Sequence, residues 1–247
     1  MMLRKLLQPV YTAWVLLSFV TFFMLMYPVL FVIGLWDDAR ARKVIFYFLH
    51  YMSILWLYLI AMPVKKLGFK PDDKKYIFAG NHISYMDTVV IYAAISKYFR
   101  TLGKKEMSSI PLFGFIYKQM AILVDRSSPH SRARSVRLMN RVLRNESNVG
   151  IFPEGTFNET DKPLKEFYDG AFKLAINTQT PIVPFIMLDT VHRWHYSAWW
   201  RLWPGRNRVV FLEPVAVEGL TLNDLPALKN EVYKRMETTL IAYNGNS

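Results

Sequence analysis

The sequence predicts an α/β protein, a mixed sheet flanked by helices and preceded by an N-terminal hydrophobic helical hairpin that serves as a membrane anchor. Three observations predict it. Two long uncharged runs open the chain, Leu6–Trp36 and Val44–Val64. From Tyr76 onward short apolar runs alternate with helical patterns, as in a sheet covered by helices. Hydrophobic residues make up 52% and aromatic residues 15% of the 247 positions, and the mean hydropathy is +0.12, above what a soluble domain requires. The boundaries read from these shifts are a hairpin over 1–64, a basic connector over 65–75, and a globular domain over 76–247.

Arg4 and Lys5 precede the first run, whose centre holds Trp14, Leu16, Leu17, Phe19, Phe22 and Phe23. A membrane span needs about 20 apolar residues, so the run is long enough even when tilted. It lacks a small-residue cleavage site after a short apolar core, which argues against a removed signal peptide. Pro28 is expected to kink or end the first helix, because it removes a backbone donor and crowds the preceding turn. The second run, interrupted by His50 and Ser53, would just cross the hydrocarbon at about 1.5 Å per residue. The connector Asp37–Lys43 is so short that the two helices must form an antiparallel hairpin, which either spans or dips into one leaflet. A buried hairpin of a soluble protein is the alternative. Positive residues at both ends of each helix leave the positive-inside bias undecided. Lys65–Lys75, charged and carrying Gly68 and Pro71, reads as the boundary segment, resting on anionic headgroups or simply solvated.

Thirty-one Lys and Arg against 19 Asp and Glu give a net charge of +12, which implies an anionic partner. The hydrophobicity favours a membrane surface over nucleic acid, and no nucleic-acid binding motif is present. With no cysteine, disulfides, zinc–thiolate sites and a cysteine acyl-enzyme are excluded.

Within the globular domain the predicted strands are 76–79, 100–103, 121–124, 149–152, 181–187 and 208–212. The predicted helices are 85–97, 112–118, 131–145, 170–177 and 224–243. The first strand leads into Asn81-His82-Ile83-Ser84-Tyr85-Met86-Asp87. A histidine followed by a carboxylate five positions on is a way to build a general base, since the aspartate can hold one ring nitrogen while the other accepts a proton. Residues five apart do not share a helix face. His82 is therefore expected in the turn before the helix, with Asp87 one turn inside and reaching back. Past the next strand come Lys104 and Lys105, which either hold a phosphate as point charges or end a solvated loop. Arg126, two residues past another strand, is a better phosphate candidate because a guanidinium binds two oxygens at once; a surface ion pair with Asp125 is the alternative. Arg134, Arg137, Arg141 and Arg144 recur at spacings of three and four on an amphipathic helix, forming either a solvated face or one that rests on anionic lipid.

The run Phe152-Pro153-Glu154-Gly155-Thr156 carries a strand into a proline, a carboxylate, a glycine that admits close backbone approach, and a hydroxyl. The backbone N–H groups of Gly155 and Thr156 could bind a phosphate or hydroxyl oxygen, with Glu154 accepting from a hydroxyl; an ordinary exit from a strand is the alternative. Later, Val191–Pro204 concentrates four of the seven tryptophans among arginines, a composition suited to the headgroup zone. His192 and His195 lie three apart, but no third metal ligand is nearby.

These stretches together resemble the glycerolipid acyltransferase family, in particular the 1-acylglycerol-3-phosphate (lysophosphatidic acid) acyltransferases. The family's Asn-His-x-x-x-x-Asp block is matched by Asn81, His82 and Asp87, with Ser84 in its usual place. Its second block, a strand ending in arginine, is matched by Ala121–Arg126, preceded by Lys105, Pro111 and Gly114. Phe152–Thr156 matches Phe-Pro-Glu-Gly-Thr in full, and Ile182-Val183-Pro184 fits the last block. The resemblance covers about Tyr76 to Leu212. Two departures stand out: Phe157-Asn158 follow the third block, and Tyr168-Asp169 replace a common lysine.

The resemblance implies an acyltransferase-type sheet and direct transfer from an acyl thioester to a glycerol hydroxyl. His82 would take the hydroxyl proton, and Asp87 would orient and stabilise the imidazolium. Glu154, Gly155 and Thr156 would position the glycerol, while Lys105 and Arg126 neutralise the acceptor phosphate. No cofactor or metal is implied; the partners are a lysophospholipid acceptor, an acyl-CoA or acyl carrier protein donor, and membrane lipid. The expected location is the inner (cytoplasmic) membrane, with the catalytic domain on the cytoplasmic side. An acceptor such as a lyso-aminolipid, or a non-catalytic lipid-binding protein of the same fold, are the alternatives.

Overall fold

The computed structural model describes residues 2–125 and 128–244. In chain order the elements are helices α1 (Met2–Gly34) and α2 (Ala39–Leu59), strands β1 (Val64–Gly68) and β2 (Ile77–Gly80), helix α3 (Asp87–Ala94) and strand β3 (Phe99–Lys104). There follow helix α4 (Phe113–Met120), strand β4 (Ala121–Val124), helix α5 (Pro129–Asn145), strand β5 (Asn148–Ile151) and helix α6 (Gly170–Thr178). Strand β6 (Ile182–Met187), the single turn α7 (Thr190–Arg193), strand β7 (Asn207–Phe211) and helix α8 (Leu225–Asn244) complete the chain. The seven strands make a sheet in the order β1-β7-β6-β2-β5-β3-β4.

By internal packing the chain divides into two units, one of Met1–Leu67, Ile83–Ser96 and Met187–Val209, the other of Gly68–His82, Lys97–Ile186 and Val210–Ser247. The division is not the sequential one read at residues 64 and 75, because two later segments pack with the hairpin.

In the first unit α1 is apolar on nearly every side. Its stretch Leu7–Gly34 is long and apolar enough to cross a membrane, with 6% of the most apolar window buried, and Val10, Leu17 and Leu25 are 68%, 67% and 72% exposed. α1 continues through Pro9 and Pro28 to Gly34, so Pro28 does not end the helix. The hairpin is antiparallel: the Tyr11 hydroxyl donates to the Ile60 carbonyl, and the Trp56 indole N–H donates to the Ser18 hydroxyl at 3.1 Å.

The second run, read either as spanning or as dipping into one leaflet, forms a helix that does not meet the length and hydropathy needed to cross. Among the described helices α1 alone has the length and hydropathy to cross. α2 stops at Leu59, carries Arg40, Arg42 and Lys43 in its first turns, and buries Ile45, Phe46, His50, Trp56 and Leu57. Asp38 caps it by accepting the Ala41 N–H at 2.7 Å, satisfying one of the donors a helix start leaves open. The buried face meets α3: the Phe46 and Tyr92 rings lie 6.0 Å apart, and His50 Nδ1 is 2.6 Å from the Tyr92 carbonyl oxygen. The tryptophan-rich segment is tied to α1. The Thr12 hydroxyl donates to the Trp200 carbonyl at 3.0 Å and accepts the Leu202 N–H at 3.1 Å, leaving the Trp199 and Trp200 side chains exposed.

The second unit is built on parallel strands. β2 pairs in parallel with β5 and β6, and β3 with β4 and β5. All four residues of β2 are buried, as befits a central strand covered on both faces. At Gly80 the Phe185 ring occupies the place of a side chain, with ring carbons 2.1–2.7 Å from where a Cβ would stand. The α8 positions read as a packing stripe, Leu225, Leu228, Val232, Met236 and Leu240, are all buried. β1 is the element the sequence hides. Lys65 and Lys66 made it look like linker, whereas charged residues are a common feature of an edge strand, and both are exposed.

Asp189, buried in the first unit, accepts hydrogen bonds from the Arg208 N–H at 2.7 Å, Nε at 2.9 Å and Nη2 at 2.7 Å. Burial pushes its carboxyl up, but the Arg208 hydrogen bonds outweigh that and leave it below the usual carboxylate value. A depressed folded-state value means the contribution is complete above the unfolded value and is lost as pH falls through the folded one. The expected outcome for Asp189→Asn is a loss of about 2 kcal/mol at neutral pH. In melts the wild type's advantage over the variant should shrink only below about pH 3.9; an advantage independent of pH down to strong acid would contradict the assignment.

Candidate active site

Because β2, β5, β3 and β4 run parallel, their carboxyl ends lie along one edge of the sheet, where α/β folds bind ligands. His82 stands two residues beyond β2, Phe152–Thr156 directly beyond β5, and Lys105 directly beyond β3. Neighbouring strands lie about 4.8 Å apart, so the column ending in Lys105 is two strands, roughly 10 Å, from that of His82. Arg126, past β4, lies outside the described residues.

The backbone of His82 is held on both sides. Its N–H donates to Glu154 Oε1 at 2.9 Å, and its carbonyl accepts the Asn158 N–H at 2.8 Å. The half-buried imidazole lies flat on Phe152, with centroids 4.3 Å apart and planes 14° apart, and meets the edge of Phe157 at 4.4 Å. Two aromatic walls restrict its rotation and so define where the ring nitrogens point.

Glu154 is fully buried. Its second oxygen accepts the Lys165 N–H at 2.8 Å, so one carboxylate joins the loop after β2 to two parts of the loop after β5. Gly155 has φ +73°, a conformation open to glycine, and the Tyr168 ring comes within 2.8 Å of where its Cβ would stand. The Gly155 N–H donates to the Phe152 carbonyl at 3.0 Å. The sequence reading had Glu154 and the Gly155 N–H facing a substrate; in the structure the hydrogen bonds of both groups shape the loop. Thr156 is exposed, and its hydroxyl accepts from Lys165 Nζ at 2.8 Å, so this pair forms the polar outer surface of the turn.

Sequence reasoning missed Lys165, which folds back from eleven residues beyond Glu154 with no local pattern to announce it. It also read Phe157 and Asn158 as departures from a motif, without seeing that they contact His82. The other departure is explained by packing: Asp169 pairs with Lys229 at 2.8 Å and Lys173 at 3.5 Å. Lys105 is largely exposed, its Nζ 4.0 Å from Asp125.

In the first unit Asp87 is the first residue of α3, not one turn inside, and is fully buried. Its Oδ2 accepts the N–H groups of Ile83 at 2.7 Å and Ser84 at 2.8 Å, the two residues that follow His82 in the chain. A carboxylate at a helix N-terminus is favoured by the helix dipole. The Ser84 hydroxyl fixes the turn further, accepting the Met86 N–H at 3.0 Å and donating to the Trp194 carbonyl at 2.5 Å. Among the described residues no three His, Asp or Glu side chains gather as metal ligands would.

The sequence of residues 62–188, which contains the clamped histidine and the Pro-Glu-Gly turn, matches the family model described as Acyltransferase. The chain belongs to the acyltransferase family. It is 31% identical over 190 residues to the 1-acyl-sn-glycerol-3-phosphate acyltransferase alpha of Mus musculus, covering 74% of this chain and 65% of that one. The 1-acyl-sn-glycerol-3-phosphate acyltransferase of Haemophilus influenzae is 31% identical over 176 residues, covering 68% of this chain and 70% of the relative. For the protein of that name from Cocos nucifera the figures are 29% over 185 residues, 74% and 59%. The matched part of the chain thus spans 59–65% of the length of the coconut and mouse proteins. The fold is that of the 1-acyl-sn-glycerophosphate (LPA) acyltransferase PlsC from Thermotoga maritima, whose crystal structure superposes with a TM-score of 0.80 at 22% identity over 98% of both chains.

Glu154→Gln would replace one acceptor oxygen by a donor and set it against a backbone N–H. The expected outcome is a loss of about 1–3 kcal/mol and, in native-state hydrogen exchange, faster exchange of the His82 or Lys165 amide. Unchanged protection at both amides would show that the carboxylate does not hold the two loops.

Proposed function

We propose that the protein is a membrane-bound O-acyltransferase that moves a fatty acyl group from an acyl thioester to the free glycerol hydroxyl of lysophosphatidic acid, giving phosphatidic acid in phospholipid biosynthesis. The observation that carries this reading is the clamped His82, joined through Glu154 to the Phe152–Thr156 turn at the end of the adjacent strand. The names borne by the mouse, coconut and Haemophilus relatives support the acceptor.

In the proposed reaction a nitrogen of the His82 imidazole takes the proton of the acceptor hydroxyl as its oxygen attacks the thioester carbon. The tetrahedral oxyanion collapses, the carbon–sulfur bond breaks, and the imidazolium returns the proton to the departing thiolate. Asp87 holds the turn after His82 by accepting the Ile83 and Ser84 N–H groups. Glu154 and Gly155 set the position of the histidine loop, while Thr156, Lys105 and Arg126 meet the polar end of the acceptor. The donor is acyl-CoA or acyl carrier protein, and α1 with the exposed Trp199 and Trp200 seats the chain in the inner membrane.

His82→Ala is expected to lower turnover by about 10²–10⁴-fold while the variant still co-floats with vesicles. The measurement is mass spectrometry of products from lysophosphatidic acid and other lysolipids, with each donor in turn. Near-normal phosphatidic acid formation by the variant would remove His82 as the base; acylation confined to another lysolipid would replace the acceptor.

A further inference from the structure

The arginine row of α5 is not used by the proposed reaction. At about 100° per residue, Arg134, Arg137, Arg141 and Arg144 fall within a sector of about 80° and span about 15 Å of helix. All four are exposed, α5 contains no Asp or Glu, and among the described residues none of the four is ion-paired. The opposite side of the helix, through Met139, Val142 and Leu143, is buried.

Helix electrostatics account for only part of this row. Cations favour the last turn of a helix, which suits Arg144, but Arg134, Arg137 and Arg141 lie outside the terminal turns and gain nothing from it. Like charges three and four apart also repel along the whole row. A face shaped only for solubility would intersperse both signs. The row therefore fits an extended anion that is absent from the isolated chain.

A second feature of the same unit says which anion. The α5 end carrying Ser131 adjoins the loop after β3: the Ser131 hydroxyl accepts the Asp125 N–H at 3.0 Å, and Asp125 lies 4.0 Å from Lys105. That loop exposes three apolar side chains, Met107 at 37%, Ile110 at 44% and Leu112 at 43%. An apolar tip beside a cationic row is the composition of an interfacial membrane contact, with the tip entering the acyl boundary and the cations meeting headgroups. The helix of an acidic partner protein would match the charges but give no reason for the apolar tip.

We propose that the arginine face of α5 is an electrostatic contact with an anionic membrane surface, made by the second unit on its own account and separate from α1. The proposal rests on α1 seating the chain in a bilayer. Anchoring by α1 then raises the effective concentration of headgroups, so a contact too weak to recruit the protein alone still forms.

The absence of cysteine gives a clean test. Ala133→Cys, exposed on α5 beside the row, is labelled with a fluorophore in the full-length protein. The protein is then reconstituted in phosphatidylcholine vesicles, with or without phosphatidylglycerol, that carry a headgroup-linked spin-label quencher. The expected result is quenching about twofold or more stronger in the anionic vesicles, falling to the zwitterionic level in 1 M salt. The same fall is expected when all four arginines are changed to glutamine in the labelled chain. Equal quenching in both vesicles would overturn the proposal, as would a response to a polyglutamate peptide but not to anionic lipid, which would assign the face to an acidic protein. Flotation of the same samples reports α1 separately: a chain that floats with neither vesicle overturns the membrane seating on which the proposal depends.

Discussion

The candidate site depends on one buried negative charge. Removing a carboxylate from water is costly unless it is fully hydrogen-bonded, and Glu154 meets that condition by accepting two backbone N–H groups, from His82 and from Lys165. The donors lie 72 and 11 residues away in sequence, so the loop after β2 and the loop after β5 cannot take up their shapes independently. The aromatic walls of Phe152 and Phe157 then act on a histidine whose backbone is already fixed. Backbone donors also suit this task better than side chains, since they carry no rotamer freedom of their own.

Asp87 performs a similar task in the first unit by a shorter route. Its carboxylate binds the two amides just upstream of its own helix, so the turn is set locally, and Ser84 adds a tie to Trp194. The chain therefore uses two buried carboxylates on backbone amides, one for the segment that ends at His82 and one for the segment that begins at Ile83.

Much of this was legible in sequence. The alternation of strands and helices was readable because the parallel strands are short apolar runs, and the α8 stripe because its buried residues recur at helical spacing. The Asn81–Asp87 and Phe152–Thr156 stretches were recognisable as a pair. What stayed hidden has physical causes. β1 carries lysines because it lies at a sheet edge. α2 was readable as a span or as a dip into one leaflet because the length of its uncharged run does not show that α3 packs on Phe46 and His50. The hydrogen bonds of Glu154 were not readable because a buried carboxylate and an exposed one have the same letter, and the Lys165 amide that it binds is a backbone group.

The most direct test of the account is steady-state kinetics of Glu154→Asp, whose side chain is one methylene too short to reach both amides. If Glu154 acts by positioning His82, kcat should fall by about a hundredfold, as for a misplaced catalytic group, while KM for the proposed acceptor, lysophosphatidic acid, stays nearly constant. A raised KM with kcat retained would contradict the account and return Glu154 to direct contact with the acceptor.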